Sequence, residues 1–216
     1  TDDAGQPRVI LLDTSPDLRQ QALGLGLDRC DGIVYTHCHV DHAFGLDEVR
    51  RFNVVMQEPI DVYAEGETMT QLHRIFEHIF RKERNHNASF VATLISHVIE
   101  PGVPLELFGL RFEPLRLLHG RLPILGFRIE ATDGRPAGPL PLAYCTDVSS
   151  IPPETWPRLE GLETLILDML RPRKHPTHFT VDQAIDAAAR IGADRTWFVH
   201  MTHDIQHAEL DEELPE

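Results

Sequence analysis

The chain has 216 residues, enough for one sizeable core, and carries 20 Lys plus Arg against 34 Asp plus Glu, a net charge of −14. The acidic surplus excludes a broad surface for long nucleic acid or anionic lipid, and 42% hydrophobic with 25% charged residues excludes a disordered chain. No apolar run reaches the roughly 18 residues of a membrane span, TDDAGQPR is not a signal peptide, and Cys30, Cys38 and Cys145 form no CxxC, so the protein is expected to be soluble, cytoplasmic and thiol-reduced.

In chain order, RVILL at 8–12 predicts a strand and 15–23 a helix. GIVYT at 32–36 predicts a strand buried on both faces, followed by a helix over about 41–51. A strand at 60–63 precedes a long helix over 67–84, with Leu72, Ile75, Phe76, Ile79 and Phe80 on its apolar side. Runs at 103–108, 110–118 and 124–130 read as an antiparallel hairpin group, and strands follow at 140–145 and 164–167. A helix over 181–191, capped by Thr180, leads to a last strand at 195–199. Strands interleaved with helices predict an α/β sandwich, two sheets inside and helices outside, formed by a single domain over 1–216.

The 13 histidines concentrate the chemical interest. THCHVDH places His37, His39, Asp41 and His42 in an H-x-H-x-D-H pattern directly after GIVYT, and about one random chain in a hundred or fewer would contain it. His37 and His39 lie two apart, so an extended strand end directs both to one side, while Asp41 and His42 turn inward as a helix begins. Imidazole and carboxylate donors suit Zn, Mn or Fe and not a soft thiolate site.

This pattern resembles the metallo-β-lactamase fold superfamily of binuclear metallohydrolases, over essentially the whole chain. The resemblance implies a four-layer αββα sandwich, here lacking its N-terminal strands and truncated at both termini. It also implies two divalent ions, Zn or Mn with Fe as a third candidate. One would be held by His37, His39 and His119 (in RLLHG), the other by Asp41, His42 and His200 (in RTWFVHMTHD), with Asp147 (in LAYCTD) bridging. Asp13 in ILLDTSPDL stands where the family places an Asp that orders the ligand loop; a turn or helix-capping role is the alternative.

His178 in RPRKHPTHFTVDQAI resembles the extra histidine of the PhnP-like phosphodiesterase branch, where such a residue assists the phosphate and leaving group; an ordinary helix-start residue is the alternative. Arg171, Arg173 and Lys174 beside it are either a phosphate clamp or a solvated basic loop. His203 is expected to orient His200 or Asp204, because the cysteines with which that branch builds a structural zinc are not in this chain. The resemblance therefore implies hydrolysis of a small phosphodiester, cyclic or nucleotide-like, by a metal-bridging hydroxide, with His178 and Asp41 as catalytic residues. The alternatives are a thioester or lactone hydrolase of the same fold and a non-catalytic metal- or nucleotide-binding module. The expected partner is a small anionic substrate, not long nucleic acid or a membrane, and a homodimer is compatible with the sequence. His73, His78, His86, His97, His175 and His207 carry no expected role.

Overall fold

Short apolar strands each followed by a helix leave a parallel sheet as the natural return path for the chain. The computed structural model describes residues 5–85, 90–133 and 138–214, and the chain divides into two compact units, Thr1–Val103 and Pro104–Glu216. In the first unit β1 (Ile10–Leu12), β2 (Gly32–Val34), β3 (Ile60–Glu65) and β4 (Leu94–Ile99) pair in that order, all parallel. The crossovers are α1 (Leu18–Leu25), then α2 (Val40–Ala43), a 3-10 turn and α3 (Arg50–Met56), then α4 (Gly66–Ile75) and α5 (Glu77–Phe80). β3 alternates as its pattern demands: Ile60, Val62 and Ala64 enter a core with Ile33, Leu18, Phe52, Met69 and Leu72.

In the second unit β5 (Leu105–Leu107), β6 (Leu110–His119), β7 (Leu122–Ala131), β8 (Leu142–Cys145), β9 (Thr164–Asp168) and β10 (Arg195–Val199) form a sheet ordered β10-β9-β8-β7-β6-β5. β5 to β8 run antiparallel in succession, whereas β8, β9 and β10 are parallel. It follows that β6, β8, β9 and β10 all point the same way and end at one edge of the sheet. α6 (Val181–Ile191) crosses from β9 to β10 and buries Ala184, Ala187 and Ile191 against Ala143, Cys145, Leu165 and Leu167. Thr180 caps it as expected, through a reciprocal box with Gln183. A further helix, α7 (His207–Glu213), follows β10. The whole is a mixed α/β structure of two sheets flanked by helices, and among the described residues no helix is long and apolar enough to cross a membrane.

Two predicted helices are divided. The one expected over 41–51 separates at Gly45, where an added Cβ would lie 2.1 Å from the Ser15 carbonyl oxygen, and resumes as a 3-10 turn at Leu46–Val49 and α3. The one expected over 67–84 breaks at Phe76 and Arg81, whose backbones leave the helical region, giving α4, α5 and a 3-10 turn at Lys82–Arg84. β4, α7 and a 3-10 turn at Trp156–Leu159 lie outside the predicted elements.

Candidate metal centre and active site

In the first unit the site begins where β1 ends. Asp13 adopts a left-handed φ of 61°, unusual for a residue with a Cβ, and this turns its carboxylate onto the loop after β2. Oδ1 accepts the Thr36 amide at 2.8 Å; Oδ2 accepts the Thr36 hydroxyl and the His42 Nδ1–H, each at 2.8 Å. Since the Thr36 hydroxyl proton is spent on Asp13, its oxygen must accept from His37 Nδ1 at 2.9 Å. Asp13 thereby sets both tautomers: His37 and His42 carry the ring lone pair on Nε2, the form in which imidazole ligates a metal. Burial pushes the Asp13 carboxyl above its usual range, against the pull of His42 and Thr36. The His37 ring lies 4.5 Å from that of His39 and 4.3 Å from that of His42, and Asp41 Oδ2 is 3.6 Å from His42 Nε2.

The backbone of this ligand turn is tied down as well. The Thr14 amide donates to the His42 carbonyl at 2.6 Å, and the Gly45 amide donates to the Thr14 carbonyl at 2.9 Å. Gly45 is required by the close approach to Ser15 described above.

In the second unit the four strands that end together deliver His119 at the last residue of β6, Asp147 just past β8, Asp168 at the last residue of β9 and His200 just past β10. Asp147 and His200 hold left-handed φ values of 57° and 66°. With Asp13 they make three of the five non-glycine residues of positive φ among the described residues, a concentration of backbone strain characteristic of functional sites. Imidazole nitrogens surround the Asp147 carboxylate. His119 Nε2 and His178 Nε2 stand 3.9 and 4.0 Å from Oδ2, and His200 Nε2 stands 3.4 Å from Oδ1. His119 Nδ1 lies 2.8 Å from the Thr177 carbonyl, which can only accept, so this ring too presents its lone pair at Nε2.

His178 is placed by a residue that the sequence reading missed. Asp168, fully buried, accepts from His178 Nδ1 at 3.0 Å and from the Phe179 amide at 2.9 Å. The His178 ring packs between those of His119, at 4.6 Å, and His200, at 4.8 Å. Ligand atoms of Asp147, Asp168, His178 and His200 all lie within 4.8 Å of one another. His175, which carried no expected role, stands 5.1 Å from His178 with its Nδ1 against Thr177; burial, and then His178, lower its pKa. The only advance signal for Asp168 was its position at a strand end, like Asp13 and Asp147.

The basic loop is bound into its own structure. Arg171 donates to the carbonyls of Arg173 and Lys174, Arg173 pairs with Asp204 at 2.9 Å, and Lys174 is exposed. His203 is 98% exposed and lies 3.9 Å from Asp204. Cys145 is in the core, where burial pushes its thiol up to about 12.

Imidazole Nε2 atoms with fixed tautomers and carboxylates at strand ends form a donor set suited to divalent ions. Residues 8–201 match the family model described as a beta-lactamase superfamily domain. The chain belongs to the metallo-β-lactamase fold superfamily. It is 36% identical over 212 residues to an octanoyltransferase of Porphyromonas gingivalis (strain ATCC BAA-308 / W83), covering 98% of this chain and 39% of that protein. The chain thus spans about two fifths of the length of the curated relative that it matches. Among solved structures it is similar to a diphosphatase from the PhnP family, with 36% identity, a TM-score of 0.83, and coverage of 97% of this chain and 75% of the other. This likeness puts the chain in the PhnP-like branch of the superfamily. Zn(2+)-bound PqqB from Methylobacterium extorquens shares the fold, with 19% identity, a TM-score of 0.72, and coverage of 99% and 80%.

Proposed function

We propose that the protein is a divalent-metal-dependent hydrolase that cleaves a small phosphodiester or a related diphosphate linkage. The observation that carries this reading is the Asp168–His178 pair, which holds an imidazole Nε2 beside the Asp147 carboxylate and between His119 and His200. The likeness to a diphosphatase of the PhnP family supports it. By motif, His37, His39, Asp41 and His42 of the first unit and His119, Asp147 and His200 of the second would be the metal ligands. Divalent ions bound there supply Lewis acidity and make a water nucleophile available near neutral pH.

The chain's own residues do the rest. Asp168 accepts the Nδ1–H of His178 and keeps the ring in place, which leaves His178 Nε2 as the atom that passes a proton to the departing alkoxide. Asp41, whose side chain is 58% exposed, accepts the proton of the attacking water. A proton-transfer role of this kind contributes about 10²–10⁴-fold in rate. In His178→Ala, hydrolysis of 2′,3′-cyclic AMP, which expels a basic alkoxide, should fall by that order while metal content is unchanged. Hydrolysis of bis(p-nitrophenyl) phosphate, whose leaving group needs little protonation, should fall much less. Equal losses on both substrates would remove His178 as the acid.

The match to an octanoyltransferase favours a second reading, an acyl thioester hydrolase built on the same residues. His178 would then be dispensable, and an octanoyl thioester would be turned over in preference to either phosphodiester.

A further inference from the structure

The ligand turn of the first unit carries two apolar residues that its metal chemistry does not use. Val40 and Phe44 are 55% and 47% exposed; Val40 opens α2 and Phe44, four residues on, is its C-terminal cap, so the two lie on one side of the turn. Phe44 is not loose. Its backbone lies between His42, whose carbonyl is held by the Thr14 amide, and Gly45, whose amide is held by the Thr14 carbonyl. Its ring meets that of buried Phe76 edge-on, with centroids 6.1 Å apart and planes at 77°. Whichever ring presents its edge, such a pair leaves at least one face of the Phe44 ring uncovered by Phe76.

We propose that Phe44 is a stacking platform for the base of a nucleotide substrate, with Val40 extending the apolar surface toward Asp41. This deepens the phosphate reading above and rests on it. A rigid aromatic ring two residues from a proposed metal ligand can hold a planar group while the phosphate of the same molecule reaches the ligand turn. A flat, half-exposed ring at the end of a short helix suits a planar heterocycle better than a flexible acyl chain, which gains from enclosure in a groove. Base-on-aromatic stacking also tolerates any base, so the preference is for nucleotides as a class.

The test is equilibrium binding to the metal-loaded protein, by calorimetry, of AMP and of ribose 5-phosphate, which share the phosphate and the sugar and differ in the base. The wild type should bind AMP about tenfold or more tightly than ribose 5-phosphate. Phe44→Ala should bring that ratio close to one, and Phe44→Trp should keep or raise it. If both compounds bind with equal affinity, or if the ratio survives in Phe44→Ala, the platform is overturned and the phosphate reading stands. If neither binds, the phosphate reading falls and takes the platform with it.

Discussion

Asp13 shows how much of the site is decided by single hydrogen-bond choices. One carboxylate fixes the tautomers of His37 and His42, directly for His42 and through the Thr36 hydroxyl for His37. Asp13→Asn cannot accept at both positions in the same way, so metal affinity should fall about 10- to 100-fold in a chelator-competition titration, with the fold retained. A second acid has a purely structural task. Burial raises the pKa of Asp31, but Arg29, the Val9 amide and Arg8 outweigh it and bring the group down to about 2 from the ordinary 3.8. A folded pKa below the unfolded one adds stability above about pH 4 that is lost as pH falls toward 2. Asp31→Asn should therefore be about 2 kcal/mol less stable than the wild type at pH 7. That gap should close between about pH 4 and pH 2 in denaturant titrations. At this scale His37, His39, Asp41 and His42 were legible because their spacing is a pattern in itself. Asp168 was not, because a lone Asp in DMLRPRK gains meaning only once β9 and the loop bearing His178 are folded. The histidines left without a role divide similarly. His73 binds Ser96 and stacks on Phe80, and His97 pairs with Asp61 over Tyr63, whereas His86 lies outside the described residues.

Elements are legible where local patterning agrees with tertiary demand, and the failures show where it does not. The predicted helix over 67–84 has a continuous apolar side, yet Phe76 and Arg81 depart from helical geometry, and nothing in the local sequence marks those breaks. β4 was missed because Ser96 and His97 interrupt LISHVI; their partners, His73 and Asp61, come from other elements. The break at Gly45 is the one with chemical consequence, since it brings the ligand turn against the loop after Asp13. Gly45→Ala forces a Cβ into the Ser15 carbonyl and the Leu18 side chain. It should displace α2 and lose bound metal by elemental analysis, whereas Gly24→Ala, whose Cβ would meet nothing within 4 Å, should not. At the other end of the scale, Thr180→Ala removes the capping box of α6 and should cost about 1 kcal/mol in thermal or chemical unfolding.

Across the molecule, the placement of chemistry follows strand direction. In the second sheet the strands that share a direction are those that end in His119, Asp147, Asp168 and His200, and the first sheet places Asp13 and the H-x-H-x-D-H turn after its first two strands. This is the general behaviour of α/β sheets, whose ligands gather beyond the carboxyl ends of strands. The net charge of −14 belongs to the chain at large, while the strand ends present imidazole donors suited to cations and, with cations bound, to a small anion. Ions that bind only the folded state stabilise it by about 2.7 kcal/mol at a hundred times their dissociation constant. Chelation should accordingly lower the melting temperature by several degrees, and Zn or Mn should restore it. The most direct test of the account is a single assay in which the metal-reconstituted protein meets 2′,3′-cyclic AMP, an octanoyl thioester and a simple lactone at equal concentration. The account predicts turnover of the phosphodiester in preference to the other two, and that turnover should collapse in His178→Ala at unchanged metal content; preferential cleavage of the thioester or lactone, indifferent to His178, would contradict it.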